Sequence, residues 1–347
     1  MKRLALAVAA LPLIAAGPAD PAPALAPSEI VAAAPAADWV RIAPSDLMVM
    51  ELAPDAKGPK RQSATRRVVI QLMPPPFSQG WVGNIRKLVA ARWYDGVSVN
   101  RVQDNYVAQW GDADAEDSKT AKKLPAGLTV MGAPQYTFKI AGELGSRLLA
   151  PTLIALEKAR TDCRNRDPDG GEGRATCEYE AQQKSARPDP YAAGHVFYAG
   201  WPIALGADET SWPIHCYGMV GVGRGLAPDT GSGAELYAVI GHAPRHLDRN
   251  IALVGRVIEG IEHLSSLPRG TEALGFYKTP EERTPITSVR MGHEIKDLPA
   301  YEYLSTDSAS FARYAEARAN RRDAFFNVPA GGADICNIPV PVRRVKG

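Results

Sequence analysis

The stretch YDGVSVNRVQDNYVAQWGD, residues 94–112, sets one arginine, Arg101, among valines and a tyrosine, with Gln109 eight positions on. It is too irregular for a helix face and too rich in Asp, Asn and Gln for a plain buried strand. An arginine in an apolar strand costs on the order of several kcal/mol unless it is paired or used. The residues on either side have to say which.

Upstream, DLMVMEL (46–52) and RVVIQL (67–72) have the composition of two strands, separated by the turn-rich PDAKGPKRQSAT. From Gln79 to Ala91 the apolar positions Trp81, Val82, Ile85, Leu88 and Val89 recur at helical spacing. Downstream, 143–160 is helical in pattern but interrupted at Pro151, and RNRDPDGGEGRAT reads as a loop of charge and glycine. Residues 217–264 alternate short apolar strands with Gly/Pro turns and end in a helix beginning near Glu259. Residues 284–295 could add a strand, and 308–326 a surface helix. Many short strands with two or three helices predict a mainly β fold, a closed antiparallel barrel capped by helices.

The chain has 347 residues, 45% apolar and 22% charged, with a formal net charge of +2. This is ordinary globular composition, and near-neutrality gives no reason to expect nucleic acid as partner. The N-terminus, MKRLALAVAALPLIAAGPADPAPALA, has two basic residues, a short apolar run and small residues with prolines. That is the layout of a secretory signal peptide and predicts a periplasmic or secreted protein. The run is shorter than the roughly 20 residues of a permanent span, so no stable membrane anchor is expected.

Export gives the four cysteines a meaning. Cys163 and Cys177 flank the glycine-rich loop and are expected to pair; Cys216 and Cys336 then either pair by elimination or stay as free buried thiols. No CxxC occurs, and GVGRG (221–225) lacks the spacing of a dinucleotide fold. His242 and His246 stand four apart with Pro244 between them, against one helix face, and no serine sits in GxSxG. No metal and no cofactor are expected.

Residues 94–112 resemble the central motif of the cyclophilins, the cyclophilin-type peptidyl-prolyl cis-trans isomerases. Tyr94-Asp95-Gly96, Arg101-Val102, Tyr106, Gln109 and Gly111-Asp112 fall in place without a gap. The resemblance extends to RVVIQL and the helix with Asn84, to PDTGSGAELYAVIG (228–241) and to HLDRNIALVGRVIEG (246–260). It implies a cyclophilin-like domain over 46–295 with a long insert at 113–216. A signal peptide and leader over 1–26, a disordered or extended segment over 27–45 and a C-terminal extension over 296–347 complete the expected organisation.

The resemblance also implies an isomerase of X–Pro bonds acting on proline-containing polypeptides. Arg101 and Gln109 would be catalytic, and Tyr106, Val107, Tyr237 and Leu247 would line a proline pocket, with Glu235 and His246 beside it. Several neighbours depart from the family pattern. Val99-Asn100 replaces Phe-His, Trp110 replaces a glycine, Ala234-Glu235-Leu236-Tyr237 replaces Ser-Gln-Phe-Phe, and His246 replaces a tryptophan. Glu235 could hold Arg101 in place or quench it as an ion pair. The altered surroundings leave a second reading open, a cyclophilin-fold chaperone or scaffold that captures proline segments with little turnover.

Overall fold

The computed structural model describes residues 24–54, 66–185 and 189–345. Most of the expected signal peptide, residues 1–23, therefore lies outside the described residues. Eight strands close into an antiparallel barrel. Around it run Met219–Val222, Leu236–Val239, Val107–Gly111, Ser98–Val102, Thr284–Met291, Leu47–Leu52, Arg66–Leu72 and Leu253–Glu259, which returns to the first. Every edge is thus paired. Successive side chains alternate between the two faces. Ala108 and Trp110 join the main core with Val99, Leu236 and Ala238, whereas Val107, Tyr237 and Val239 form a separate apolar cluster. Trp110, fully buried, fills space in the core where a glycine would leave a void.

The helix Gln79–Ala90 buries the five apolar residues whose spacing predicts it, together with Asn84. Asn84 accepts from the Thr129 amide (2.8 Å) and donates to the carbonyls of Thr129 and Ser232, at 2.8 and 3.0 Å. Among the described residues no helix is long and apolar enough to cross a membrane.

The flanking and inserted segments differ from expectation. Residues 27–45, expected to be disordered or extended, contain the helix Pro27–Ala32 and the strand Trp39–Arg41. That strand pairs with Tyr301–Leu304, which also pairs with Val342–Arg344, so the C-terminal extension folds back on the N-terminal segment. The helix expected over 143–160 with an interruption at Pro151 runs unbroken from Gly142 to Arg166; a proline removes one backbone bond, and long flanking turns carry that loss. The expected glycine loop is mostly helix as well, because Glu172–Ser185 follows after only 167–171. Cys163 pairs with Cys177 across the two helices, and Cys216 pairs with Cys336. The insert also holds a four-stranded sheet, Phe138–Lys139, Thr210–Pro213, Trp201–Leu205 and Gly194–Tyr198, with no counterpart in the sequence reading. Its Trp201, Ile203 and Trp212 pack into the main core. Residue 259 ends a strand, and the helix that follows is only Glu262–Ser265.

Candidate functional site

Arg101 and Gln109 stand opposite one another on Ser98–Val102 and Val107–Gly111. The register slips between Val99 and Arg101, so Asn100 is an extra residue, and such a bulge re-aims the next side chain. The half-buried Arg101 guanidinium is held at three points. Nη1 donates to Gln109 Oε1 (3.0 Å), Nε to the Leu274 carbonyl (2.7 Å) and Nη2 to Gln103 Oε1 (2.5 Å). The Phe276 and Tyr106 rings lie 5.3 and 5.8 Å from its Cζ. Burial lowers the Arg101 pKa, and Tyr106, Glu235 and Tyr237 oppose that shift. An arginine starting from so high a value remains a cation.

Gln109 is held from both ends, because its Nε2 donates to Glu235 Oε2 at 2.8 Å. Glu235 therefore meets Arg101 through an amide rather than as an ion pair. A carboxylate only accepts, so Gln109 must turn its NH2 toward Glu235 and its oxygen toward Arg101. Burial raises the Glu235 pKa; the bond from Gln109 opposes this, and nearby Glu116, Asp112 and Asp229 add to it.

Beside this pair lies the separate apolar cluster. Val107, Tyr237 and Val239 are buried in it, and Tyr106, Leu247 and Ile251 pack against it. His246 stacks on Tyr106 with centroids 6.1 Å apart and planes 16° from parallel. Tyr237 lies opposite both Gln109 and Gly221 in the sheet. A Cβ on Gly221 would come within 2.3 Å of the Tyr237 ring and hydroxyl, so a glycine is needed where the ring crosses the neighbouring strand. Gly223 serves Glu235 in the same way, at 2.9 Å from its Cβ. The GVGRG run makes room for two side chains of this site.

The structure thus gathers Arg101, Gln109, Glu235, Tyr106, Val107, Tyr237, Leu247 and His246 around one face. It also adds residues that sequence reasoning missed. His215, Arg245, Asp248 and Asp189 form a buried polar chain behind Tyr237, joined across separations of 33 and 56 residues that no local motif signals. Leu274 and Phe276, which grip Arg101, come from a loop with no motif of its own.

The family model for cyclophilin type peptidyl-prolyl cis-trans isomerases matches residues 67–291. Among solved structures, the cyclophilin AquaCyp293 from Hirschia baltica aligns at 22% identity with a TM-score of 0.56. The alignment covers 89% of this chain and 95% of that one, a likeness of fold. A cyclophilin type peptidyl-prolyl cis-trans isomerase from Cryptosporidium parvum aligns at 9% identity and TM-score 0.34, over 71% of this chain and 97% of its own. No curated protein matches the sequence.

Proposed function

The chain belongs to the cyclophilin-type peptidyl-prolyl cis-trans isomerase family, and from that membership we propose that it catalyses cis-trans isomerisation of X–Pro bonds in exported polypeptides. The observation that carries this is the fixed Arg101–Gln109 pair set against the apolar cluster of Tyr106, Val107, Tyr237 and Leu247. The barrier to rotation, about 20 kcal/mol, comes from amide resonance. No nucleophile is needed to lower it. A donor aimed at the prolyl nitrogen draws the lone pair out of resonance and gives the C–N bond single-bond character.

Arg101 is the donor in this reading. Three of its five N–H groups have the partners described above, and the other two are the ones that can meet a substrate. Gln109 keeps a second amide hydrogen for the substrate carbonyl while Glu235 holds the first. The apolar cluster receives the proline ring, and His246 covers Tyr106 at its rim. The pair is preorganised, so little reorganisation accompanies the step. Two disulfides suit an oxidising compartment and support a role on exported proteins.

One observation favours the second reading, a binder of proline segments with little turnover. Arg101 is engaged by Gln103 and Leu274 as well as Gln109, and a donor held that firmly can be too constrained to follow the turning bond. Exchange spectroscopy on a short Ala-Pro peptide separates the two. Arg101→Ala is expected to lower the catalysed exchange rate by roughly 10²–10³-fold, the scale for removing one transition-state donor. Wild-type exchange no faster than the variant's would leave only the binding reading.

A further inference from the structure

Behind the apolar cluster the barrel carries a buried row of polar side chains that the isomerisation itself does not use. Tyr237 Oη lies 3.0 Å from His215 Nε2, and the two rings stack with planes 18° apart. His215 Nδ1 lies 2.9 Å from Asp248 Oδ1, which also accepts from the His215 backbone N–H at 3.0 Å. Asp248 Oδ2 accepts from Arg245 Nε at 2.6 Å, and Arg245 Nη2 donates to Asp189 Oδ2 at 3.0 Å. The side chains of His215, Asp248, Arg245 and Asp189 are all 3% exposed or less.

Burial disfavours a charged Asp248, but the bonds from His215 and Arg245 outweigh it and hold the carboxyl below its usual range, as an acceptor. His215 then presents Nδ1–H to Asp248, and its Nε2 faces the Tyr237 hydroxyl, which can donate to that nitrogen or accept from it. Arg245 is kept charged by the same two carboxylates, Asp248 and Asp189, against the cost of burial. Both carboxylates of the row accept from charged or N–H donors, and two of its members, His215 and Asp189, belong to the insert.

We propose that Asp189, Arg245, Asp248 and His215 are positioning residues for the proline pocket, through which the insert sets the orientation and rigidity of the Tyr237 ring. This rests on the reading of Tyr237 as a pocket wall. Where the family pattern has a phenylalanine, held by packing alone, this chain has a tyrosine whose hydroxyl meets the insert directly at His215, and His215 is fixed in turn through Asp248 and Arg245 to Asp189. A pocket wall fixed in advance binds its ligand without a further ordering cost, so the tether acts on affinity more than on the turning step.

The test is a double-mutant cycle of Asp189→Asn and Tyr237→Phe, read as the affinity of an Ala-Pro peptide by NMR titration and as KM against kcat. Asparagine keeps the acceptor that Asp189 Oδ1 offers to the Tyr191 amide, so the turn there survives. Asp189→Asn is expected to weaken peptide binding roughly three- to tenfold, with kcat nearly unchanged, the scale of one net hydrogen bond. In the Tyr237→Phe background the same change should cost less than about twofold, because residues joined in one hydrogen-bond network are not additive. Asp189→Glu, which keeps the charge, should recover part of the loss. Equal losses in both backgrounds, or none in the wild type, would overturn the proposal.

If no protein turns the peptide over, the catalytic reading falls while the affinity cycle still decides the tether. If none binds it, the pocket reading falls too. The His215 Nε2 nitrogen signal, which reports the bond between His215 and Tyr237 without any peptide, then decides, and no change in Asp189→Asn overturns the tether. Should Asp189→Asn not fold, Arg245→Lys takes its place, since a lysine keeps the charge but cannot bridge both carboxylates in the plane of a guanidinium.

Discussion

Glu235 is the residue at which this site departs most consequentially from the family pattern, because it places a carboxylate where a neutral amide would do. Its oxygen accepts from Gln109, and glutamine could offer the same acceptor without a buried charge. Its pKa in the fold is raised, with burial the first cause, so the charged form is the disfavoured one. Such a group contributes its full share of stability below the unfolded carboxyl pKa and loses it as pH rises through the folded one. Glu235→Gln should therefore stabilise the protein at neutral pH by on the order of 1 kcal/mol, net of a hydrogen bond that both residues can make. Thermal melts between pH 3 and 8 check this. The gain should shrink toward zero as pH falls, and a gain that grows in acid would mean that the carboxylate is being stabilised by Arg101 after all.

The helical hairpin Gly142–Arg166 and Glu172–Ser185 is the element whose stability rests most visibly on a covalent link. Cys163 is buried where the helices meet, and its bond to Cys177 closes a sequence separation of 14. In the chain-entropy view such a loop is worth about 3 kcal/mol. Cys163→Ser with Cys177→Ser should leave the barrel's thermal midpoint nearly unchanged, while the hairpin amides lose hydrogen-exchange protection and the 167–171 turn becomes open to proteases. Cys216→Ser with Cys336→Ser, which opens a separation of 120 beside His215, should instead lower the midpoint of the whole protein. Equal effects of the two pairs would show that the hairpin unfolds together with the barrel. This contrast also marks what could be read from sequence. Period-3.6 burial over Trp81, Val82, Ile85, Leu88 and Val89 and the gapless run 94–112 are local signals, and they located the helix and the face that carries Arg101. The helical pattern at 143–160 is a local signal too, but the run 164–176 that ends this helix and begins the next is rich in charge and glycine, and the insert strands Trp201–Leu205 and Thr210–Pro213 carry prolines, so local propensity pointed away from these. The His215–Asp248 and Arg245–Asp189 links exist only once distant segments meet, and no spacing announces them.

Across the whole molecule, Arg256 joins the barrel, the insert and the C-terminal extension at one buried point. It sits on Leu253–Glu259 and donates to Gln71 Oε1 (2.9 Å) in the barrel and to the Gly200 carbonyl (2.7 Å) in the insert. Its guanidinium lies 4.5 Å from the Trp201 ring and 5.8 Å from the Tyr303 ring of the extension. The hairpin tip that brings the insert here turns through Ala199 and Gly200, both at positive φ, 47° and 83°. A Cβ on Gly200 would come within 2.6 Å of Tyr303, so only glycine admits the extension. Among the described residues Arg256 has no carboxylate partner, and burial lowers its pKa to about 10. Aromatic faces and two carbonyl oxygens offset a cost that ion pairs meet elsewhere. Arg256→Ala removes the stem, the cation and both bonds, and should destabilise the protein by about 3 kcal/mol. Arg256→Met keeps a stem between the rings and sheds the desolvation cost, so it should lose less than half as much. Hydrogen exchange then reports how the layers are joined. In Arg256→Ala the amides of Gly194–Tyr198, Trp201–Leu205 and Tyr301–Leu304 should lose protection together while Arg66–Leu72 stays protected. Loosening of the insert alone would place the tie to the extension elsewhere, and an alanine variant as stable as the wild type would remove Arg256 from the joint.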